Sequence, residues 1–194
     1  DETITILPGT INSILEVDGT MLIGVAGSKL TRVRKGHNNY IIDQPIEVFG
    51  ATSITSLAFE KNILFLGTDK GLYKLFDFTP KKNNDVVTLT NSWNLDNSII
   101  RSLSVHQNFI WVGTEGQGIY KFSFEGEEVE HFQYDQRKQN NLNSNYVLTS
   151  YIDRNNNLWI GTWFGGMNVI DLSEKNYSVI YDAENEKSLF SNII

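Results

Sequence analysis

Cysteine is absent from these 194 residues. The chain therefore has no disulfide, no thiol nucleophile and no cysteine-bound zinc. Histidine is scarce: His37, His106 and His131 fall at unrelated places, and no pair has metal-ligand spacing. No metal and no cofactor is expected. No apolar run approaches the ~18 residues of a membrane-spanning helix. The start, Asp1-Glu2-Thr3, has neither the basic region nor the apolar core of a secretion signal. An exported protein would already have lost that signal. Positive charge is also short, with 16 Lys and Arg against 23 Asp and Glu and a net charge of −7. Nucleic acid and anionic membranes both call for a basic face, so neither is an expected partner.

What the chain has is a repeat. An apolar run ending in glycine occurs four times, as Met21-Leu22-Ile23-Gly24, Phe65-Leu66-Gly67, Ile110-Trp111-Val112-Gly113 and Leu158-Trp159-Ile160-Gly161. The glycines are 43, 46 and 48 residues apart. Thr68, Thr114 and Thr162 follow three of them, with Val25 in the first copy. A second glycine comes shortly after, at Gly27, Gly71, Gly118 and Gly166, and alternation of apolar and polar residues then resumes. Upstream lie Ile11-x-Ser13, Ile54-x-Ser56, Ile100-x-Ser102 and Val147-x-Thr149.

Each copy reads as four short strands, rich in β-branched and aromatic residues and bounded by Asn, Asp and Gly. The first strands are placed at 11–17, 54–60, 99–105 and 146–153, and the second at 21–25, 63–67, 109–113 and 157–161. The third are placed at 29–34, 71–77, 118–124 and 166–172, and the fourth at 45–49, 85–90, 128–133 and 177–181. No amphipathic helix of useful length appears. Four strands per ~45 residues is the period of a propeller blade. The expected fold is therefore all-β: a β-propeller with four blades of four antiparallel strands, at 8–50, 51–94, 95–141 and 142–187. Residues 1–7 resemble the outer strand of a preceding blade and 188–194 the opening of a following one. This predicts an open segment of a larger ring that associates through its end blades. Leu22, Phe65, Trp111 and Trp159 are expected between blades, and Trp93 is expected to be exposed.

The fourth copy carries more than a period. Asn145-Tyr146-Val147, the acidic Asp153 and the run Asn157-Leu158-Trp159-Ile160-Gly161-Thr162, with the turn Trp163-Phe164-Gly165-Gly166, resemble the two-component regulator propeller repeat. The third copy matches well; the first two have Leu22 and Phe65 in place of Trp. The resemblance implies the periplasmic sensor of a Bacteroidetes-type hybrid two-component histidine kinase. Such sensors typically carry seven-bladed propellers and respond to oligosaccharides, with the kinase outside this segment. An oligosaccharide ligand, neighbouring blades and self-association are the partners this implies.

Antiparallel connectivity puts the turns between second and third strands on one face with the links between blades. That face gathers Glu115, Gln117 and Trp163 from the turns, and Trp93, Asn94, Asp96, Arg137 and Asn140 from the links. Aromatic planes stack on the C–H faces of sugars, while Asn, Arg and carboxylates pair with hydroxyls. These eight residues are the candidate ligand site. Asp69 and Glu115 occupy equivalent turns of adjacent blades, and paired carboxylates could serve a hydrolase. The same position in the outer copies is Ala26 and Trp163, so the segment is read as non-catalytic. A propeller scaffold for protein contacts is the alternative, ahead of a propeller glycosidase or lyase.

Overall fold

The computed structural model describes residues 7, 9–37, 39–48, 50–80, 90–91, 95, 98–137, 141–173 and 179–180. Its regular structure is all β, in four antiparallel sheets. The first holds β1 (Ile11–Val17), β2 (Thr20–Val25), β3 (Lys29–Lys35), β4 (Tyr40–Ile42) and β5 (Ile46–Glu47). The second runs β6 (Ile54–Glu60), β7 (Ile63–Thr68), β8 (Gly71–Leu75) and β9 (Thr90–Asn91). The third runs β10 (Ile100–His106), β11 (Phe109–Thr114), β12 (Ile119–Ser123) and β13 (Glu128–Phe132). The fourth runs β14 (Val147–Ile152), β15 (Asn157–Thr162), β16 (Gly166–Asp171) and β17 (Val179–Ile180). Within each sheet, neighbours in space follow chain order, as in a propeller blade, except that β5 of the first sheet pairs with β3.

Two-residue turns close the first hairpins of the first three sheets, and residues 153–156 close that of the fourth. Asp18-Gly19 and Lys61-Asn62 have positive φ at both positions, the backbone a type I′ hairpin turn demands. Each first strand then carries a β-bulge at the x of its Ile-x-Ser motif, between Ile11 and Ser13, Ile54 and Ser56, Ile100 and Ser102, and Val147 and Thr149. The motif glycines pair with those same residues: Gly24 with Ser13, Gly67 with Ser56, Gly113 with Ser102 and Gly161 with Thr149. The reason for glycine is steric. A Cβ on Gly113 would collide with Ser102 Oγ and come within 2.5 Å of Val147 Cγ1 in the next sheet. At Gly24 the obstacles are Ser13 and Ile54. Serine and glycine together let one sheet lie close on the next.

The chain divides into two compact units, Asp1–Asn97 and Ser98–Ile194, with two sheets in each. In the first, Leu22 and Leu30 of one sheet pack with Ile54, Leu64, Leu66 and Phe78 of the other. In the second, Trp111 and Ile119 pack with Val147, Leu158, Ile160 and Ile170, and Leu142 of the link closes the layer. Third strands place a long cation opposite the large apolar residue of the second strand: Arg32 opposite Leu22, Lys74 opposite Phe65 and Lys121 opposite Trp111. All three cations are buried. Lys121 Nζ lies 4.5 Å from the Phe109 ring centre, 5.4 Å from Trp111 and 4.0 Å from Glu130 Oε1.

Two expectations need correction. The outer strand of the first sheet was placed at 45–49 alone; two short strands occupy that edge, with β4 paired to the end of β3 and β5 to its start. Asp43 interrupts the edge by pairing with Arg32 and Arg34, and Pro45, next to β5, has no N–H to give the ladder. Second, Leu22, Phe65 and Trp111 are buried, but Trp159 is only half-buried. Its side chain projects from the face opposite Leu158 and Ile160, and no further sheet covers that face among the described residues. The strands read at 1–7, 85–89 and 188–194 lie outside the described residues apart from Leu7, as does Trp93.

Candidate functional site

The turns between second and third strands are locked by the threonine that follows the motif glycine. Thr68, Thr114 and Thr162 donate Oγ1–H to the carbonyls of Gly71, Gly118 and Gly166, at 2.8, 2.8 and 3.0 Å. Thr68 and Thr114 also accept from the N–H of Lys70 and Gln117. A buried hydroxyl used on both sides fixes the turn and leaves the residues between free to differ.

In the first unit those residues are Ala26 and Gly27 in one turn and Asp69 and Lys70 in the other. Ala26 bridges to Ser53, and the Asp69 N–H donates to the Ser53 carbonyl. The Asp69 carboxylate accepts from Thr52 N–H at 2.8 Å, Thr52 Oγ1 at 2.7 Å and Ser53 N–H at 3.0 Å. Burial pushes this carboxyl up, but the hydrogen bonds together outweigh it and leave it below the ordinary range. Asn12, at the bulge of β1, donates to Ser53 Oγ at 2.6 Å. Asp69 therefore fastens its turn to the link entering β6, and Ser53 of that link reaches the first sheet through Ala26 and Asn12, which is a structural role.

The second unit has the same backbone pattern with different side chains. Glu115 bridges to Tyr146, and the Trp163 N–H donates to the Tyr146 carbonyl at 2.8 Å. Tyr146 thus sits between the turn of the third sheet and the turn of the fourth. Its ring lies over Gly116, where an added Cβ would be 3.7 Å away. Arg101, aimed by the bulge of β10, directs Nε to Glu115 Oε2 at 2.7 Å, and its Nη2 binds the same oxygen. Tyr146 is 51% exposed, Trp163 53% and Phe164 66%. Trp163 and Phe164 meet edge to face, ring centres 5.1 Å apart. Phe164 has φ 56, a left-handed conformation that a bulky side chain rarely adopts.

Of the eight candidate residues, Glu115, Gln117, Arg137 and Trp163 belong to the second unit and are described. Glu115 and Trp163 flank Tyr146. Gln117 is anchored, its side-chain oxygen accepting from Tyr120 Oη at 3.0 Å and its carbonyl lying 2.7 Å from His131 Nε2. Arg137 is exposed, on a turn where its N–H donates to Asp135 Oδ1. Trp93, Asn94, Asp96 and Asn140 lie outside the described residues. The Asn-rich link works largely as a set of staples: Asn143 donates to the Gly165 carbonyl, and Asn145 Oδ1 accepts from Tyr134 N–H. Sequence reasoning passed over Arg101 and Tyr146. Their signal was positional, at the bulge of Ile-x-Ser and next to Val147.

These features define the class: β-propeller blades whose turn face carries a solvent-exposed aromatic and charged cluster. Residues 141–164 match the family Two component regulator propeller, and the chain resembles that family. It is 26% identical over 161 residues to Histidine kinase P4 of Formosa agariphila, covering 80% of this chain and 12% of that protein. Among solved structures, two of the extracellular domain of BT4673 from B. thetaiotaomicron align over 82% of this chain and 21% of theirs. One describes BT4673 as a hybrid two-component system and the other as a one-component system. Their TM-scores are 0.64 and 0.65, at 20% and 22% identity. The computationally designed Ika4 protein aligns over 86% of this chain and 94% of its own, with TM-score 0.59 and 14% identity.

Proposed function

We propose that this chain is part of the periplasmic ligand-sensing propeller of a hybrid two-component regulator. It recognises an oligosaccharide on the turn face and relays binding to a kinase beyond these 194 residues. The observation that carries the reading is the exposed cluster of Tyr146, Trp163 and Phe164 beside the Arg101–Glu115 pair. Open aromatic faces next to hydrogen-bonding charges suit a ligand with both C–H surfaces and hydroxyls. Recognition is favoured over catalysis because both turn carboxylates are engaged, Asp69 with Thr52 and Ser53, Glu115 with Arg101. The extracellular placement of the BT4673 domains supports the location.

Titration calorimetry of the 194-residue chain against plant and host glycans tests it, with Trp93→Ala, Arg137→Ala and Trp163→Ala as variants. A glycan that binds the parent and is weakened by at least one change is the expected result. A binding glycan indifferent to all three would place the site elsewhere.

A further inference from the structure

We infer that the primary sugar contact is the row Arg101, Glu115, Tyr146 and Trp163, and that Glu115 makes it selective for a neutral chain over uronic or sulfated glycans. This rests on the oligosaccharide reading above and narrows it. The row is set by backbone: the Glu115–Tyr146 bridge on one side, the Trp163 N–H to Tyr146 carbonyl bond on the other. The first unit shows what that backbone requires of its side chains. There the matching positions are Asn12, Ala26, Ser53 and Asp69, and the polar ones are bonded to one another or to Thr52. Nothing in the shared framework asks for exposed rings. The second unit nevertheless places Tyr146 and Trp163 there, and keeps Phe164 outward in a left-handed backbone.

The chemistry then selects the ligand. Arg101 directs two nitrogens to one oxygen of Glu115, Oε2. The pair thus presents guanidinium donors beside a carboxylate acceptor, and both side chains are partly exposed. A hydroxyl both donates and accepts, so two neighbouring sugar hydroxyls match such a pair without breaking it. Tyr146 and Trp163 offer ring surface to the C–H side of the same residue. A carboxylate or sulfate would face Glu115 or have to displace it from Arg101, against a chain whose net charge is already −7.

The test uses the 194-residue chain and two matched sets of probes. One set is neutral: gluco-, xylo-, arabino-, galacto-, manno- and fructo-oligosaccharides. The other is acidic: oligogalacturonates and heparin fragments. A neutral oligosaccharide should bind, and Tyr146→Ala and Trp163→Ala should each weaken it about tenfold. Tyr146→Phe, which keeps the ring, should lose less affinity than Tyr146→Ala. Glu115→Gln should shift the ratio of acidic to neutral affinity about fivefold toward the acidic set. If an acidic glycan binds more tightly than every neutral one, or if a bound neutral glycan ignores Tyr146→Ala and Trp163→Ala, this inference fails while the oligosaccharide reading stands. If neither set binds at millimolar concentration, both fall. Circular dichroism of each variant separates lost contacts from lost folding.

Discussion

Replacing Trp111 by alanine should be among the most damaging single changes in the second unit. The indole is 1% exposed and packed against Leu142, Val147, Leu158 and Ile160, with Phe132 at 5.9 Å between ring centres. A buried tryptophan removes about 200 Å² from water. At about 25 cal/mol per Å² that is about 5 kcal/mol, an upper value because denatured chains already bury part of it. Relaxation of the cavity brings the expected cost to about 4 kcal/mol. The change also strips a ring from beside the buried Lys121 ammonium. Trp159, at the matching repeat position, is only half-buried, so Trp159→Ala should cost about 2 kcal/mol on the same area scale. Urea melts should be followed by far-UV circular dichroism and tryptophan fluorescence, because the two compact units need not unfold together. A Trp111→Ala cost below about 1 kcal/mol, or equal costs for the two variants, would refute this account of the core.

Gly113→Ala drives a methyl group into Ser102 and Val147 and should cost about 2 kcal/mol or more in the same melts; a neutral result would mean the sheets separate easily. Phe164→Gly should raise stability by about 0.5 kcal/mol, because relief of left-handed strain outweighs the added freedom of the unfolded glycine. The same variant should weaken any ligand of the turn face, and calorimetry would read both effects. Asp153 accepts from the Asn157 side chain, the Trp159 indole and the Asn157 N–H, which outweigh a small opposing effect of burial and, with Asn155, hold its carboxyl down at about 2. A depressed carboxyl stabilises fully above its ordinary value and loses that contribution as pH falls through the folded value. The parent should therefore lose melting temperature between about pH 4 and pH 2, and Asp153→Asn should flatten that part of the profile. Identical acid profiles for the two proteins would exclude Asp153 as the cause.

The sequence by itself determined the blade. Strand period, two-residue turns, the Ile-x-Ser bulge and the recurring Gly-Thr are local matters, decided within about 20 residues by pleat alternation, backbone sterics and one hydroxyl. Gly113 and Thr114 could be assigned a structural place before any coordinates, since their motif repeats and their partners lie in the same hairpin. Tertiary structure decided what each repeat does with the same position. Trp111 and Trp159 share a motif, yet one is sealed by the next sheet and the other is not. Asp69 and Glu115 occupy equivalent turns, yet Asp69 bonds to Thr52 and Ser53 of the link while Glu115 bonds to Arg101 of β10. Arg101 and Tyr146 carry no signal beyond their place in the motif. Arg101 meets Glu115 from the bulge of β10, and Tyr146 stands between Glu115 and Trp163 because a bridge between sheets holds it there. Burial and partnership depend on what a neighbouring sheet brings, and a repeat unit read alone does not contain its neighbour.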